Sequence, residues 1–458
     1  MFENIEEDHH HVGEFQLDGE TLPGEMIYNR KNGVVLLCIK RTIEGFGRSY
    51  GRLNTITGRL TSGIYVTLFN NDCTQNHTES FHIQHLCFRS EYVVWSKANN
   101  PMQTFNKLVC VVQNGLAWGG MSQINDNGFD GITYKGIEQE KTYDWYGAKI
   151  RFSTTLQNGL WQKPREEVCK IIERLEITIE SDEKQTIDYF LRVRNCVLAL
   201  ICFAIKDNIN IDNQYLEDYD DYYFPCKDIK ECYHHHIVTS EPYDGLQGTH
   251  QFMYNFSLSQ LPIDENLADK LNKLAPVFNL YASLYKYPYM PTEMIFLNVV
   301  QALETFHSRF FYDDKKSKYI KSVSSRFESN EDFEIIKKLL LSEAQIKKGC
   351  NYIILLSRLN DMLIGKYDGL FSEFYLEDDG YAQRIVDTRH YYTHYGKSKE
   401  KMALKGDELI DAISIMRLLL EYNVCLTLGV DIRNRVEGEI KRHFRYKKID
   451  ETNNPIVT

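Results

Sequence analysis

The apolar residues of this chain change period along its length, and that change limits the fold more than any other feature. Up to about residue 160, short apolar stretches recur between turn signals: Met26–Tyr28, Val34–Lys40, Ile64–Phe69, Phe81–Phe88, Tyr92–Trp95, Leu108–Val112 and Ala148–Thr154. Ile64, Val66 and Leu68 alternate with Tyr65, Thr67 and Phe69. That is the two-residue period of a strand with unlike faces. Asn32-Gly33 lies between two such stretches, and both residues tolerate the positive φ of a tight hairpin. Successive short strands without helices between them predict a β-rich sandwich or barrel-like domain. From about residue 260 the period lengthens. Met294, Leu297, Val300, Leu303, Phe306 and Phe310 follow a spacing near 3.6, the mark of an amphipathic helix. Asp264 can cap a helix running to Leu274, and Glu331–Ile346, Tyr352–Leu363 and Asp407–Leu428 give further helices.

The expected fold class is therefore α+β and multidomain, with three parts. Residues 1–160 form a β-rich domain, 161–260 a mixed helical connecting region and 261–458 an α-helical bundle. Within the connecting region, Pro164-Arg165-Glu166-Glu167 predicts a helix start. Leu175–Glu180 predicts a strand, Thr186–Ile205 a helix, and the acidic, tyrosine-rich Ile211–Asp221 a solvated loop.

Charge excludes one function class. The chain carries 53 Lys and Arg against 64 Asp and Glu, a net of −11. It cannot coat nucleic acid through bulk positive charge, although a local basic groove could still hold RNA. The longest apolar run, Cys196–Ile205, is half the roughly 20 residues a membrane span needs. Met1–His11 is acidic and His-rich, unlike a signal peptide. The 11 cysteines have no short regular spacing. Reduced thiols in a cytoplasm are expected, with Cys38, Cys110, Cys196, Cys202 and Cys425 as small core residues.

One stretch concentrates chemistry: Asp387-Thr388-Arg389-His390-Tyr391-Tyr392-Thr393-His394-Tyr395-Gly396, followed by the charged Lys397-Ser398-Lys399-Glu400-Lys401. It should occupy a helix and the loop beyond. Cleaving an RNA phosphodiester requires a proton removed from the 2′-hydroxyl, support for negative charge on phosphorus and a proton for the leaving 5′-oxygen. Histidine exchanges protons near neutral pH, and arginine offers a planar fork of donors to phosphate. Arg389 and His394 supply both, and RNA supplies its own nucleophile, so no metal or other cofactor is required. Residues five apart on a helix diverge by about 140°. A composite site between two copies, related by a two-fold axis, brings such groups together more easily than one helix does.

Arg389 to His394 resembles the R-x4-H motif of the HEPN superfamily (higher eukaryotes and prokaryotes nucleotide-binding), and the full stretch resembles its ApeA-type branch. Gln301, Glu304 and His307 on the preceding helical stretch fit that pattern. The N-terminal part is similar to the ApeA N-terminal domain through Gly13-Glu14-Phe15, Leu17, Pro23-Gly24 and the hairpin ending in Val34–Leu37, though Gln16 stands where an aromatic is expected. The resemblance implies a metal-independent ribonuclease, active as a homodimer or higher even oligomer. It implies a bacterial, cytoplasmic, antiviral protein of abortive infection that cleaves host RNA, most typically tRNA, once a phage-derived activator, a protein, is sensed. It makes Arg389 and His394 catalytic, with His390 in the polar position after the arginine.

Other readings stay open at the level of sequence. The helical half could be a non-catalytic module that binds nucleotide or RNA, or that dimerises. His394 could bond free carbonyls at a helix C-terminus. Arg389 could pair internally with Asp387 or Glu304. His390 and His394 have the i, i+4 spacing of a zinc pair and could serve a metal-dependent hydrolase, but the glutamate of H-E-x-x-H is missing between them. Glu304 and Gln301, with Tyr392, could support the active site. Tyr391, Tyr392 and Tyr395 could stack a base or pack between helices. His9-His10-His11 reads as a tail, and Cys226, Cys232 and His234-His235-His236 are only loosely metal-like. Finally, Lys441, Arg442 and Arg445, within a basic run from Arg433 to Lys448 and alongside Lys315, Lys316, Lys318 and Lys321, could line an RNA groove.

Overall fold

The fold is that of a computed structural model, which describes residues 9–220, 231–239, 254–310 and 379–442 apart from 30–33, 45–46, 80–81, 97–103, 114, 121, 123, 127–131, 135–139, 164–165, 263–265 and 288. Two compact units result, 1–195 with 209–251, and 196–208 with 252–458. The helices expected at Glu331–Ile346 and Tyr352–Leu363, and residues Asp264, Lys315, Lys316, Lys318, Lys321, Cys226 and Arg445, lie outside the described residues.

The first unit contains strands β1 (His9–Leu17), β2 (Glu20–Asn29), β3 (Val34–Thr42), β4 (Arg52–Leu60), β5 (Tyr65–Glu79), β6 (Ile83–Ser96) and β7 (Thr104–Val112). Then come a short helix α1 (Leu116–Gly119), the small pair β8 (Ile124–Asp126) and β9 (Ile132–Tyr134), and strands β10 (Lys141–Trp145), β11 (Ala148–Lys163) and β12 (Glu166–Thr186). Helix α2 (Ile187–Ile205) separates these from β13 (Ile211–Asp220) and β14 (Glu231–Thr239). One antiparallel sheet runs β10-β11-β12-β7-β13-β14-β6-β3-β2-β1-β4-β5, and β5 returns to pair with β6. The first six strands therefore close a barrel, which removes the free edges of an open sheet. Strand β6 makes the closure possible through its length. Residues 83–90 bond β3, residues 92–95 bond β14, and β5 runs along its other side.

Period-two alternation fills the barrel. Val35, Leu37 and Ile39 are buried along β3 while Leu36, Cys38 and Lys40 are not. They meet Phe15, Met26, Ile56, Val66, Leu68, Leu86 and Phe88 in one core. Gly58 is obligatory there: a Cβ would sit 2.4 Å from the Phe15 ring. Asn29 pairs with Val34 across the hairpin expected at Asn32-Gly33, whose turn lies outside the described residues.

Two local expectations fail. Glu166 onward is not a helix but the start of β12, which forms a long hairpin with β11. Ile211–Asp220 is no solvated loop but β13, flanked by β7 and β14. Its acids have distant partners: Glu217 pairs with Lys107, and the buried Asp218 with Lys184 at 2.8 Å. Cys232 and His234-His235-His236 are strand residues on β14, and His9-His10-His11 is the start of β1 rather than a tail.

The second unit is helical: α3 (Leu267–Lys286), α4 (Thr292–Phe310), α5 (Asp379–His394), α6 (Asp407–Leu428) and a further helical stretch over 433–442. On α4 the expected period holds but its phase shifts. Phe296, Val299, Val300, Leu303 and Phe306 are buried, while Met294 is exposed. Helix α6 begins after Gly406 and ends at Gly429, whose φ of 81° closes the helix in the left-handed conformation. Its centre holds a buried acid. Glu421 accepts from the Tyr281 hydroxyl at 2.5 Å and pairs with Arg435 at 3.1 Å and Lys206 at 3.2 Å. Among the described residues no helix is long and apolar enough to cross a membrane.

Candidate active site

The motif stretch folds as expected into a helix and the loop after it. Helix α5 carries Asp387 through His394 and stops at Tyr395, whose φ of 49° breaks the helical path. Three bonds fold the following segment back onto the helix. Lys399 pairs with the fully buried Asp387. The Leu404 amide donates to the Thr388 hydroxyl at 2.9 Å, and the Tyr392 hydroxyl donates to the Leu404 carbonyl at 3.0 Å. The loop that follows the histidines is thus anchored at Lys399 and Leu404 to residues 387–392 of α5.

A helix advances about 100° per residue, so Asp387, His390 and His394 share one face and Arg389 lies on another. The contacts follow this division. The rings of His390 and His394 meet at 4.9 Å, inclined by 60°, and both residues are exposed. Arg389 turns to α4, where its Nε stands 3.6 Å from Glu304. Asp387 is therefore the partner of Lys399 rather than of Arg389. Burial, the neighbouring His394, and then Lys399 and Arg389 hold His390 below the usual histidine range. All four influences disfavour the imidazolium and outweigh Asp387, which opposes them, so His390 is held in its neutral form.

The remaining expected site residues divide. Tyr392 is buried against Phe296, with ring centroids 6.4 Å apart, and its bond to Leu404 gives it a packing role beneath the site. His307 is buried on α4, one turn beyond Glu304, whereas Gln301 is exposed. Lys441 and Arg442 are exposed on 433–442 and bonded locally, Lys441 to Glu437 at 3.9 Å and Arg442 to the Gly438 carbonyl at 3.2 Å. Among the described residues no group of three or more His, Cys, Asp or Glu side chains is arranged to hold a metal ion.

Sequence reasoning missed the clamp formed by Asp387, Thr388, Lys399 and Leu404. Its one legible signal was a carboxylate two residues before the arginine, with a lysine-rich loop following the motif. The arrangement as a whole offers an exposed histidine pair, a guanidinium anchored by a carboxylate, and a cationic loop.

Comparison with known families gives two matches. Residues 10–271 match the model for ApeA N-terminal domain 1, and residues 297–433 match the model for the Apea-like HEPN domain. No curated protein and no solved structure matches.

Proposed function

This chain belongs to the ApeA family, with its N-terminal domain 1 followed by an ApeA-like HEPN domain, and from that premise we propose that it is a metal-independent endoribonuclease of antiphage defence. The observation that carries this reading is the pair of exposed rings at 4.9 Å, His390 and His394, on the helix that also presents Arg389. In the proposed reaction the 2′-oxygen attacks the adjacent phosphorus and the bond from phosphorus to the 5′-oxygen breaks. One histidine takes the 2′-hydroxyl proton and a histidine returns a proton to the 5′-oxygen. His394 is the primary acid or base. His390, favoured in its neutral form, has an unprotonated ring available as a weak base beside it. Arg389 holds the phosphate as its charge grows, and Glu304 fixes the guanidinium. The products are a 2′,3′-cyclic phosphate and a 5′-hydroxyl.

Because Arg389 and the histidines leave α5 on different faces, the reading includes a homodimer in which the arginine of one copy serves the histidines of the other. The substrate is host RNA, with tRNA the specific proposal, and a phage protein recognised by the first unit is the proposed trigger. The test is cleavage of RNA by purified protein in excess EDTA, with the new ends mapped chemically. Cleavage that stops in EDTA and returns with zinc would favour a metal-dependent hydrolase at His390 and His394 instead.

A further inference from the structure

Tyr395 follows His394 directly, yet it is 65% exposed. Its backbone takes the left-handed conformation at φ 49°, where glycine or asparagine fits with less strain. A residue serving only to end the helix would be better as one of those. The side chain is not solitary. Its ring meets Tyr391 at 5.5 Å and 64°, and Tyr392 at 6.2 Å and 80°. The Lys405 ammonium lies 5.4 Å from the centre of the Tyr391 ring. Across residues 395–406 there are four lysines, Lys397, Lys399, Lys401 and Lys405, and one acid, Glu400. Lys399 is committed to Asp387, and Lys405 stands 3.8 Å from Glu400, while Lys397 and Lys401 are exposed. A cationic segment in a chain of net charge −11 is a local reversal of sign, and it adjoins the histidine pair.

We propose that Tyr395, with Lys397, Lys401 and Lys405, forms a subsite for one unpaired nucleotide of the RNA next to the cleaved phosphate. This rests on the ribonuclease reading and gives it a substrate class, single-stranded rather than duplex RNA. The base stacks on the Tyr395 ring, and the lysines attract the flanking phosphate. A duplex keeps its bases stacked on each other and cannot offer one to the ring. The clamp through Asp387 and Leu404 holds this loop in place, so little ordering is left for binding to supply.

Binding is read in the full chain carrying His394→Ala, so that the probe stays intact. Fluorescence anisotropy compares a labelled single-stranded RNA oligonucleotide with the same strand in a duplex. Tyr395→Ala should weaken single-strand binding about tenfold, within the range for loss of one base–aromatic stack. Tyr395→Trp should retain it, and duplex binding should not change. Equal affinity in the His394→Ala protein with and without Tyr395→Ala overturns the subsite. So does a loss that Tyr395→Trp shares and that tracks a changed oligomer in ultracentrifugation, which would make the tyrosine a contact between copies. The two readings fail separately. Cleavage by the wild-type chain that Tyr395→Ala leaves unaltered removes the subsite and spares the ribonuclease. Tyrosine-dependent binding of single strands, with no RNA cleavage by the wild-type chain in cells during phage infection, does the reverse.

Discussion

Arg389→Ala and His394→Ala should each lower RNA cleavage by at least a hundredfold, the usual scale for losing a proton-transfer group or a phosphate donor. Both side chains are partly or fully exposed, so circular dichroism and oligomeric state should stay as in the wild type. Wild-type turnover in either variant would remove that residue from the mechanism. His390 offers a second measurement. Its proton affinity is lowered by burial, then by His394, Lys399 and Arg389, and is opposed by Asp387. The sign is therefore fixed: the neutral form is favoured, and the acidic limb of the rate profile that reports His390 lies below the ordinary histidine value. An NMR titration of its ring should show this, and His394→Ala should move the titration upward. A His390 that titrates above free histidine would contradict the arrangement. That one helix would carry Arg389, His390 and His394 was legible in the sequence, because the stretch concentrates residue types able to move protons and hold phosphate; their catalytic roles belong to the proposal. The bond of Lys399 was not legible, since nothing local to residue 399 says that its charge is bound to a buried acid twelve positions earlier.

At the scale of elements, α6 carries a fully buried acid at its centre, Glu421. Burial alone would push the Glu421 carboxyl up, but Lys206, Arg417 and Arg435 outweigh it and hold the carboxyl below the usual carboxylate range. Glu421→Ala leaves those cations facing one another without their acid. It should cost about 3–5 kcal/mol, the range for breaking a buried pair from one side, read as a fall in the urea midpoint of the helical unit. Because the folded carboxyl binds its proton less readily than the unfolded one, this contribution is complete above the unfolded value. It is lost as pH falls through the lowered folded value, and Glu421→Gln should flatten that part of the stability profile. Strand β3 and helix α4 were legible because one face is buried, whereas β5, α2 and α6 were legible as apolar runs and are buried on more than one side, Val66 to Phe69 on both faces of β5. Leu175–Glu180 was legible as a strand, but the start of β12 at Glu166 and all of β13 were not. Acidic residues at Glu166-Glu167 imitate a helix start, and the polar sequence of β13 can be buried because partners far away in the chain, Lys107, Lys184, Arg174 and Arg194, meet Glu217, Asp218, Asp212 and Gln214. The barrel's closure was equally hidden, since it depends on one strand having three neighbours.

For the whole molecule, the proposed shared site predicts a homodimer, and activity per chain should fall on dilution as sedimentation shows monomer. A monomer with full activity at nanomolar concentration would exclude the composite arrangement. The division of the chain also sets where it can be cut. Residues 196–208 belong to the helical unit. They bring Phe203, whose ring lies 4.8 Å from Tyr281 and 5.2 Å from Phe278, and Lys206, which serves Glu421. A fragment of residues 261–458 should therefore be less stable than one in which 196–208 is supplied through a linker. If the first unit restrains the nuclease, the linked fragment should be toxic on expression and His394→Ala should abolish the toxicity. A linked fragment that folds and is harmless would remove restraint from the proposal.

Strand β14 bonds β6 across more than a hundred intervening residues, and between them the chain departs to contribute a piece of the other unit before coming back. On the ribosome, then, the growing polypeptide can close its barrel early but must hold the far end of β6 without its last neighbour until β14 emerges. The helix α2, already out, waits longer still for α3 and α6. Neither unit can be finished before the other has been started. A translational pause after α2 has left the ribosome and before β14 has done so would expose an open strand edge and an apolar helix at once.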